Sequence, residues 1–268
     1  MKVNGKGIIS EANALFNRLK RTAIIIIFSK KRMVPCSAIV ISYPKSGRTW
    51  LRTILAKYME LEYGIPFTLE LNDRELDKEL RIEFTHFIWR VEEAANCKKV
   101  LLFRNPKDII VSHYHHCKSR EKIFNGSINE FIRDYEFGIS SIVHFMNEIW
   151  ERYGNCKNSI IMSYEGLHKD VYGEVSKLIV FLGLRVDDGN IKNAIKFSEF
   201  KKMQRMERTG EFGDWRLKTG NTDRMETFKV RKGIVGGYKE ELGRKEIEYL
   251  DYEIEKSLNG EIKKFLGF

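Results

Sequence analysis

Ala38-Ile39-Val40-Ile41-Ser42-Tyr43-Pro44-Lys45-Ser46-Gly47-Arg48-Thr49-Trp50-Leu51 is the stretch whose reading decides the fold. Ala38 to Ser42 is almost wholly apolar and of strand length, as in parallel sheets covered on both faces. From Thr49 to Tyr63, Leu51, Ile54, Leu55, Tyr58 and Leu61 recur at helical spacing, and Gly64 marks a stop. The loop between them ends at a helix start, where unpaired N–H groups and the positive end of the dipole favour an anion. Gly47 lets backbone approach closely, while Lys45, Arg48 and Thr49 add charge and hydrogen bonds. The ordinary P-loop signature sets Gly-Lys-Ser/Thr together at that helix start. Here Lys45 precedes Gly47, so an ATPase or GTPase loses its best support.

Working outward, Val100 to Phe103 and Ser159 to Ser163 read as further short buried strands. The first leads through Asn105-Pro106 into a helix from about Lys107. Ser127 to Tyr153 reads as helical with a break near Gly138, and Val171 to Leu182 as a helix ended by Gly183. Strands alternating with helices argue for an α/β fold, a parallel central sheet flanked by helices. There is no repeat and no Pro/Ser-rich linker, so residues 1–268 are expected to form one domain. Residues 1–36 form an N-terminal extension, and the charged, glycine-bearing stretch 205–227 is expected to be a mobile surface loop.

Apolar residues make up 43% of the 268, a globular fraction that excludes wholesale disorder. The net charge of +10 attracts anions. It is spread along the chain and not gathered in an aromatic-interleaved stripe, so no nucleic-acid partner is expected. Cys36, Cys97, Cys117 and Cys156 form no Cys-x-x-Cys pair, and reduced thiols in a cytoplasmic protein are the simple reading. The most apolar run, Ala23 to Phe28, is far short of the ~20 residues that span a bilayer. It reads as a buried strand or part of a packed helix, with peripheral membrane contact as the alternative.

The string YPKSGRTW after a buried strand resembles the donor loop of the soluble sulfotransferases that use 3′-phosphoadenosine 5′-phosphosulfate (PAPS). The resemblance implies a P-loop NTPase-like three-layer architecture. It also implies that Lys45 contacts the donor phosphate and the bridging oxygen, that Ser46, Gly47 and Thr49 hold the 5′-phosphate, and that Trp50 stacks on adenine. Many members have a second threonine where this chain has Arg48, which can itself meet phosphate. Arg104 and Ser112, in RNPKDIIVS, are similar to the family's 3′-phosphate ligands, and two helical turns return Ser112 to the side of Arg104. Arg231-Lys232-Gly233 resembles the third block, in which side chains and backbone N–H hold the same phosphate. Gly237-Tyr238 replaces the usual Asp-Trp there but keeps a turn and a packing ring. Tyr164 and the pair Ser198 and Phe200 match weaker segments near the adenine. The resemblance runs in order from about Ile39 to Lys239.

Sulfuryl transfer to a hydroxyl needs a base for the acceptor proton, and a histidine suits that role. His86, after Glu83-Phe84-Thr85, lies in the family's interval for it; the lysine many members place two residues earlier is here Phe84. His86 and Lys45 are the catalytic candidates. The expected activity is transfer from PAPS, with PAP as product and no metal, to a hydroxyl or amine on a small-molecule or glycan acceptor. His113, His116 and Cys117 share a helix face of metal-binding type, but the family needs no metal. The alternatives are a P-loop-type kinase, with Asp108 or Glu165 as the acidic metal ligand, and a non-catalytic PAP-binding protein. For the acceptor wall the sequence offers Phe67, Phe87, Trp89, Tyr114, His144, Phe145 and Phe212. The family's dimer motif would begin at Lys239, but Gly243-Arg244 replaces its Thr-Val, so that dimer is not expected.

Overall fold

A computed structural model describes residues 35–94, 96–214, 217 and 224–268. The apolar run at residues 23–28 and most of the N-terminal extension lie outside the described residues. In chain order the elements are β1 (Ala38–Ile41), α1 (Arg48–Tyr63), β2 (Ile82–Thr85), α2 (Ile88–Glu93), β3 (Lys98–Phe103) and α3 (Pro106–His115). Next come α4 (Ile128–Phe131), α5 (Ile139–Tyr153), β4 (Ser159–Ser163), α6 (Tyr164–Lys169) and α7 (Val171–Leu182). The last are α8 (Asp188–Phe197), α9 (Phe200–Thr209), α10 (Arg244–Ser257) and α11 (Gly260–Leu266).

The strands form one parallel sheet in the order β2-β1-β3-β4. Ala38 pairs with Ile82 on one side and Lys98 on the other, and Leu101 pairs with Ile161. Side chains alternate across the sheet. Ile39, Ile41, Leu101 and Phe103 enter a core shared with α3, α5, α10 and α11. Ala38, Val40, Val100 and Leu102 enter the opposite core, shared with α1, α7 and α8. Helices thus cover both faces, which is why β1 and β3 read as unbroken apolar runs. This is the three-layer, P-loop NTPase-like arrangement the sequence pointed to.

Most expected boundaries fall within two residues of the observed ones, and α7 and β4 coincide with theirs. The expected break near Gly138 is real: α4 ends at Phe131 and Gly138 is the N-cap of α5. Of the stretch 205–227, residues 205–209 complete α9 and Met225–Thr227 form a single 3₁₀ turn. Residues 215, 216 and 218–223 lie outside the described residues. Cys36 and Cys97, remote in sequence, meet as buried thiols with their sulfurs 3.3 Å apart. Among the described residues no helix is long and apolar enough to cross a membrane.

The strand order has a functional consequence. From β1 the chain goes outward to β2 and then returns to β3 on the other side, so the switch point lies between β1 and β3. Ligands in open parallel sheets bind beyond the C-terminal ends of the strands at such a point. Ile39 is fully buried at the centre of this sheet. Ile39→Ala should therefore cost about 2–5 kcal/mol in urea unfolding; a loss below roughly 1 kcal/mol would mean that the central pairing is wrongly placed.

Candidate active site

Each strand hands one segment to a common cavity of about 800 Å³. From β1 comes the loop Pro44–Thr49 with Trp50, and from β2 comes His86. Arg104 follows β3 and Tyr164 follows β4. Ser112 of α3, Ser198, Phe200 of α9 and Arg231-Lys232-Gly233 complete the predicted set. Every site residue expected from the sequence lines this cavity except Ser46. Ser46 is buried beside it, and its Oγ has no hydrogen-bond partner.

The β1–α1 loop has the shape its sequence implied. Lys45 takes a left-handed conformation at φ 75°, and so does Gly47, the N-cap of α1, at φ 95°. No side chain caps α1, and its first turn holds no carboxylate. Its amide end is therefore left for an anion. A Cβ at Gly47 would sit 2.5 Å from the Tyr164 ring, so Tyr164 packs where only glycine allows it. Gly233 is similarly close to Phe200, 2.3 Å from a built Cβ.

Arg104 ties two of the segments together. Its Nη1 donates to the Lys45 carbonyl at 3.0 Å and its Nη2 to the Ile234 carbonyl at 3.1 Å. Its guanidinium lies 4.1 Å from the centre of the Tyr164 ring, and its Nε is buried without a partner. Four residues on, the buried carboxylate of Asp108 accepts from the amides of Gly236 (2.7 Å) and Tyr238 (3.0 Å). The turn and the packing ring expected at Gly237-Tyr238 are both present, with Tyr238 buried. Glu165 accepts from the Asn105 amide at 2.9 Å. The two carboxylates considered for a kinase metal are thus engaged by backbone amides.

Two wall residues had not been singled out in the sequence, Arg120 and Lys229, and His113 and His116 also line the cavity. Behind the wall is Glu207, almost fully buried. It accepts from the amides of Lys229 (2.8 Å) and Val230 (2.9 Å) and from Arg120 Nη1 (3.0 Å). Arg120 also donates to the Thr227 carbonyl at 2.7 Å. No local pattern marks these residues, because α9 and the 116–120 turn meet only through tertiary packing. His113, considered with His116 and Cys117 for a metal, instead packs edge-on against Tyr43, Phe131 and Phe137.

The aromatic residues offered for the acceptor wall do not line the cavity. Phe67 and Phe212 pack on each other in the α1-side core, Tyr114 packs on Phe124 and Phe131, and His144 points outward. Phe87 comes nearest, its ring centre 4.1 Å from that of His86.

Electrostatics single out two lysines. Burial, then the positive charge of Arg120, Arg104 and Arg231, lowers Lys45 to about 8 against some help from Glu207. Burial and the cations Lys45, Arg120, Arg48 and Arg52 lower Lys229 to about 7. Burial and the same cationic neighbourhood hold His116 well below the usual histidine range. His86 receives a hydrogen bond at Nδ1 from Arg48 Nη2 at 3.2 Å, and Arg52 lies 4.4 Å from the centre of the Phe84 ring.

A family model described as "Sulfotransferase domain" matches residues 35–261. Flavonol 3-sulfotransferase of Flaveria bidentis is 28% identical over 265 residues, covering 84% of this chain and 82% of that protein. Sulfotransferase 1E1 of Bos taurus is 26% identical over 266 residues, covering 86% of each. Among solved structures, mouse sulfotransferase SULT7A1 complexed with PAP aligns with a TM-score of 0.65 at 22% identity, over 87% of this chain and 88% of that one. The chain belongs to the sulfotransferase family, and it is an enzyme of that class.

The role of Asp108 as a clamp is open to direct test. Asp108→Ala strands two amides, each worth about 1–3 kcal/mol if left unpaired. The variant should lose stability in urea and show faster hydrogen exchange at Gly236 and Tyr238. Unchanged exchange at both amides would show that the loop is held by something else.

Proposed function

We propose that the protein transfers the sulfuryl group of PAPS to a hydroxyl on a small-molecule acceptor, with PAP as the second product. One observation carries this reading: two cationic anion sites, built from separate segments, open onto one cavity. A donor with phosphate groups at its 3′ and 5′ positions needs such a pair. The helix start with Lys45, Ser46, Gly47, Arg48 and Thr49 would take the 5′ end. Arg104, Ser112, Arg231, Lys232 and Gly233 would take the 3′-phosphate, and Trp50, Tyr164, Ser198 and Phe200 the adenine. The partnerless Ser46 Oγ and Arg104 Nε, and the glycines that admit close approach, fit that assignment. Lys45, buried and held near neutrality, would stabilise charge on the leaving phosphate, the kind of electrostatic help on which such transfers depend.

His86 is the proposed base. Arginine only donates, so Nδ1 accepts from Arg48 and the neutral ring carries its proton on Nε2. To take the acceptor proton, His86 must exchange this contact. Arg48 would then supply positive charge in the neighbourhood where Phe84 supplies none. His86→Ala should lower turnover at least about 100-fold while PAP binding by calorimetry persists. Full activity in that variant would remove His86 from the mechanism, and failure of the native protein to bind PAP would remove the donor assignment.

The lysine gives a second test. A bound anion favours the charged ammonium, so it raises Lys45 from its lowered position near 8. PAP binding at pH 8 should therefore take up protons, visible when calorimetry is repeated in buffers of different ionisation enthalpy. Affinity should weaken as pH rises above about 8, because the neutral lysine must then be protonated on binding. Proton release, or an affinity flat from pH 7 to about 9.5, contradicts the placement of Lys45 against the donor.

A further inference from the structure

Building on the sulfotransferase reading, we propose that the acceptor is a small molecule with an anionic group of its own near the reacting hydroxyl, and that Lys229 and Arg120 seat that group. The cavity wall holds more positive charge than the donor assignment uses. Lys45, Arg48, Arg104, Arg231 and Lys232 are assigned to the donor, and Arg48 also stands beside His86. Arg120 and Lys229 remain, next to each other, because Glu207 anchors the Arg120 guanidinium and the Lys229 amide through the same oxygen, Oε1.

Among the described residues the nearby carboxylates leave the Lys229 ammonium without an ion pair, while Glu207 pairs with Arg120. Asp108 is occupied by the amides of Gly236 and Tyr238. Glu207 lies behind the wall and serves two amides as well as Arg120. Glu121 is at the rim with its side chain 52% exposed, and its contact is with His116 at 3.8 Å. Among the described residues no carboxylate pairs with the Lys229 ammonium, which instead faces four cations. A wholly apolar acceptor would strip water from this wall and return nothing. An anionic group would return charge-assisted hydrogen bonds and favour the protonated lysine. A carboxylate, a sulfate ester and a phosphate ester share the chemistry required.

The experiment compares matched acceptors: 4-hydroxybenzoate with its methyl ester, glucuronate with its methyl ester, and glucose 6-phosphate with glucose. Each is assayed for kcat/KM with PAPS and titrated calorimetrically into the PAP-loaded protein. At least one anion should be preferred over its neutral partner by roughly tenfold or more. Lys229→Met should erase that preference by losing affinity for the anion, Lys229→Arg should restore most of it, and neither should change PAP affinity more than about threefold. Whichever pair shows the preference identifies the anion. Equal or better use of every neutral partner, an unchanged preference in Lys229→Met, or no anion binding to the PAP-loaded protein overturns the proposal. If PAP itself does not bind the native protein, the donor reading falls and this inference with it. PAP binding without anion preference defeats this inference alone.

Discussion

One guanidinium sets the spacing of the site. Arg104 reaches from the end of β3 to the Lys45 carbonyl on one side and the Ile234 carbonyl on the other, joining segments separated by more than half the chain. Its own position is fixed by the pairing of β3 with β1, the most central contact of the sheet. One helical turn later, Asp108 takes the amides of Gly236 and Tyr238. The third segment is therefore docked by a cation through its carbonyl and by an anion through its amides. Both contacts are backbone-directed, so they constrain the path of the chain and leave residues 231–233 facing the cavity.

What the sequence shows follows from this arrangement. β1, β3 and β4 are legible because a strand buried on both faces must be apolar along its length, and the turn chemistry at Asn105-Pro106 marks where β3 gives way to α3. β2 is harder to read: it is an edge strand of only Ile82-Glu83-Phe84-Thr85, with Glu83 paired to Arg90, and no apolar run announces it. The donor segments are legible because each is a contiguous string with its own local logic. Arg120, Lys229 and Glu207 have no such string. Glu207 sits in a strongly charged helix, and nothing in the order Gln204-Arg205-Met206-Glu207-Arg208 says that this one carboxylate is buried while Arg205 and Arg208 meet water. Its burial depends on two amides and a guanidinium supplied from elsewhere in the chain.

The aromatic residues offered for the acceptor wall do not line the cavity, for a related reason. A list of aromatic residues is a poor guide because most rings are needed to fill the two cores, as Phe67, Phe212 and Tyr114 do. The cavity wall instead carries His116 and Arg120, on the π-turn after α3, and Lys229, in the bend before Arg231. A π-turn alters which side chains face inward relative to a continued α-helix. The helical-face argument that grouped His113, His116 and Cys117 holds for the two histidines, which line the cavity, but not for Cys117, which enters the core.

Positive charge is treated differently at neighbouring positions of a single segment. Arg231 and Lys232 share the carboxylate of Glu241, which also takes His115. Those hydrogen bonds outweigh its burial and hold Glu241 far below the usual carboxylate range. Two residues upstream, Lys229 is left among cations and loses affinity for its proton. Burying like charges together costs stability, and the chain demonstrably has carboxylates with which to avoid that cost. Glu207 serves Arg120 and two amides, Asp108 serves two amides, and among the described residues no carboxylate pairs with Lys229. Glu207 orients Arg120 and offsets its charge, and Lys229 has no such partner among the described residues. Lys229 is thus the wall cation at which a bound anion would offset the cost of burying like charges together.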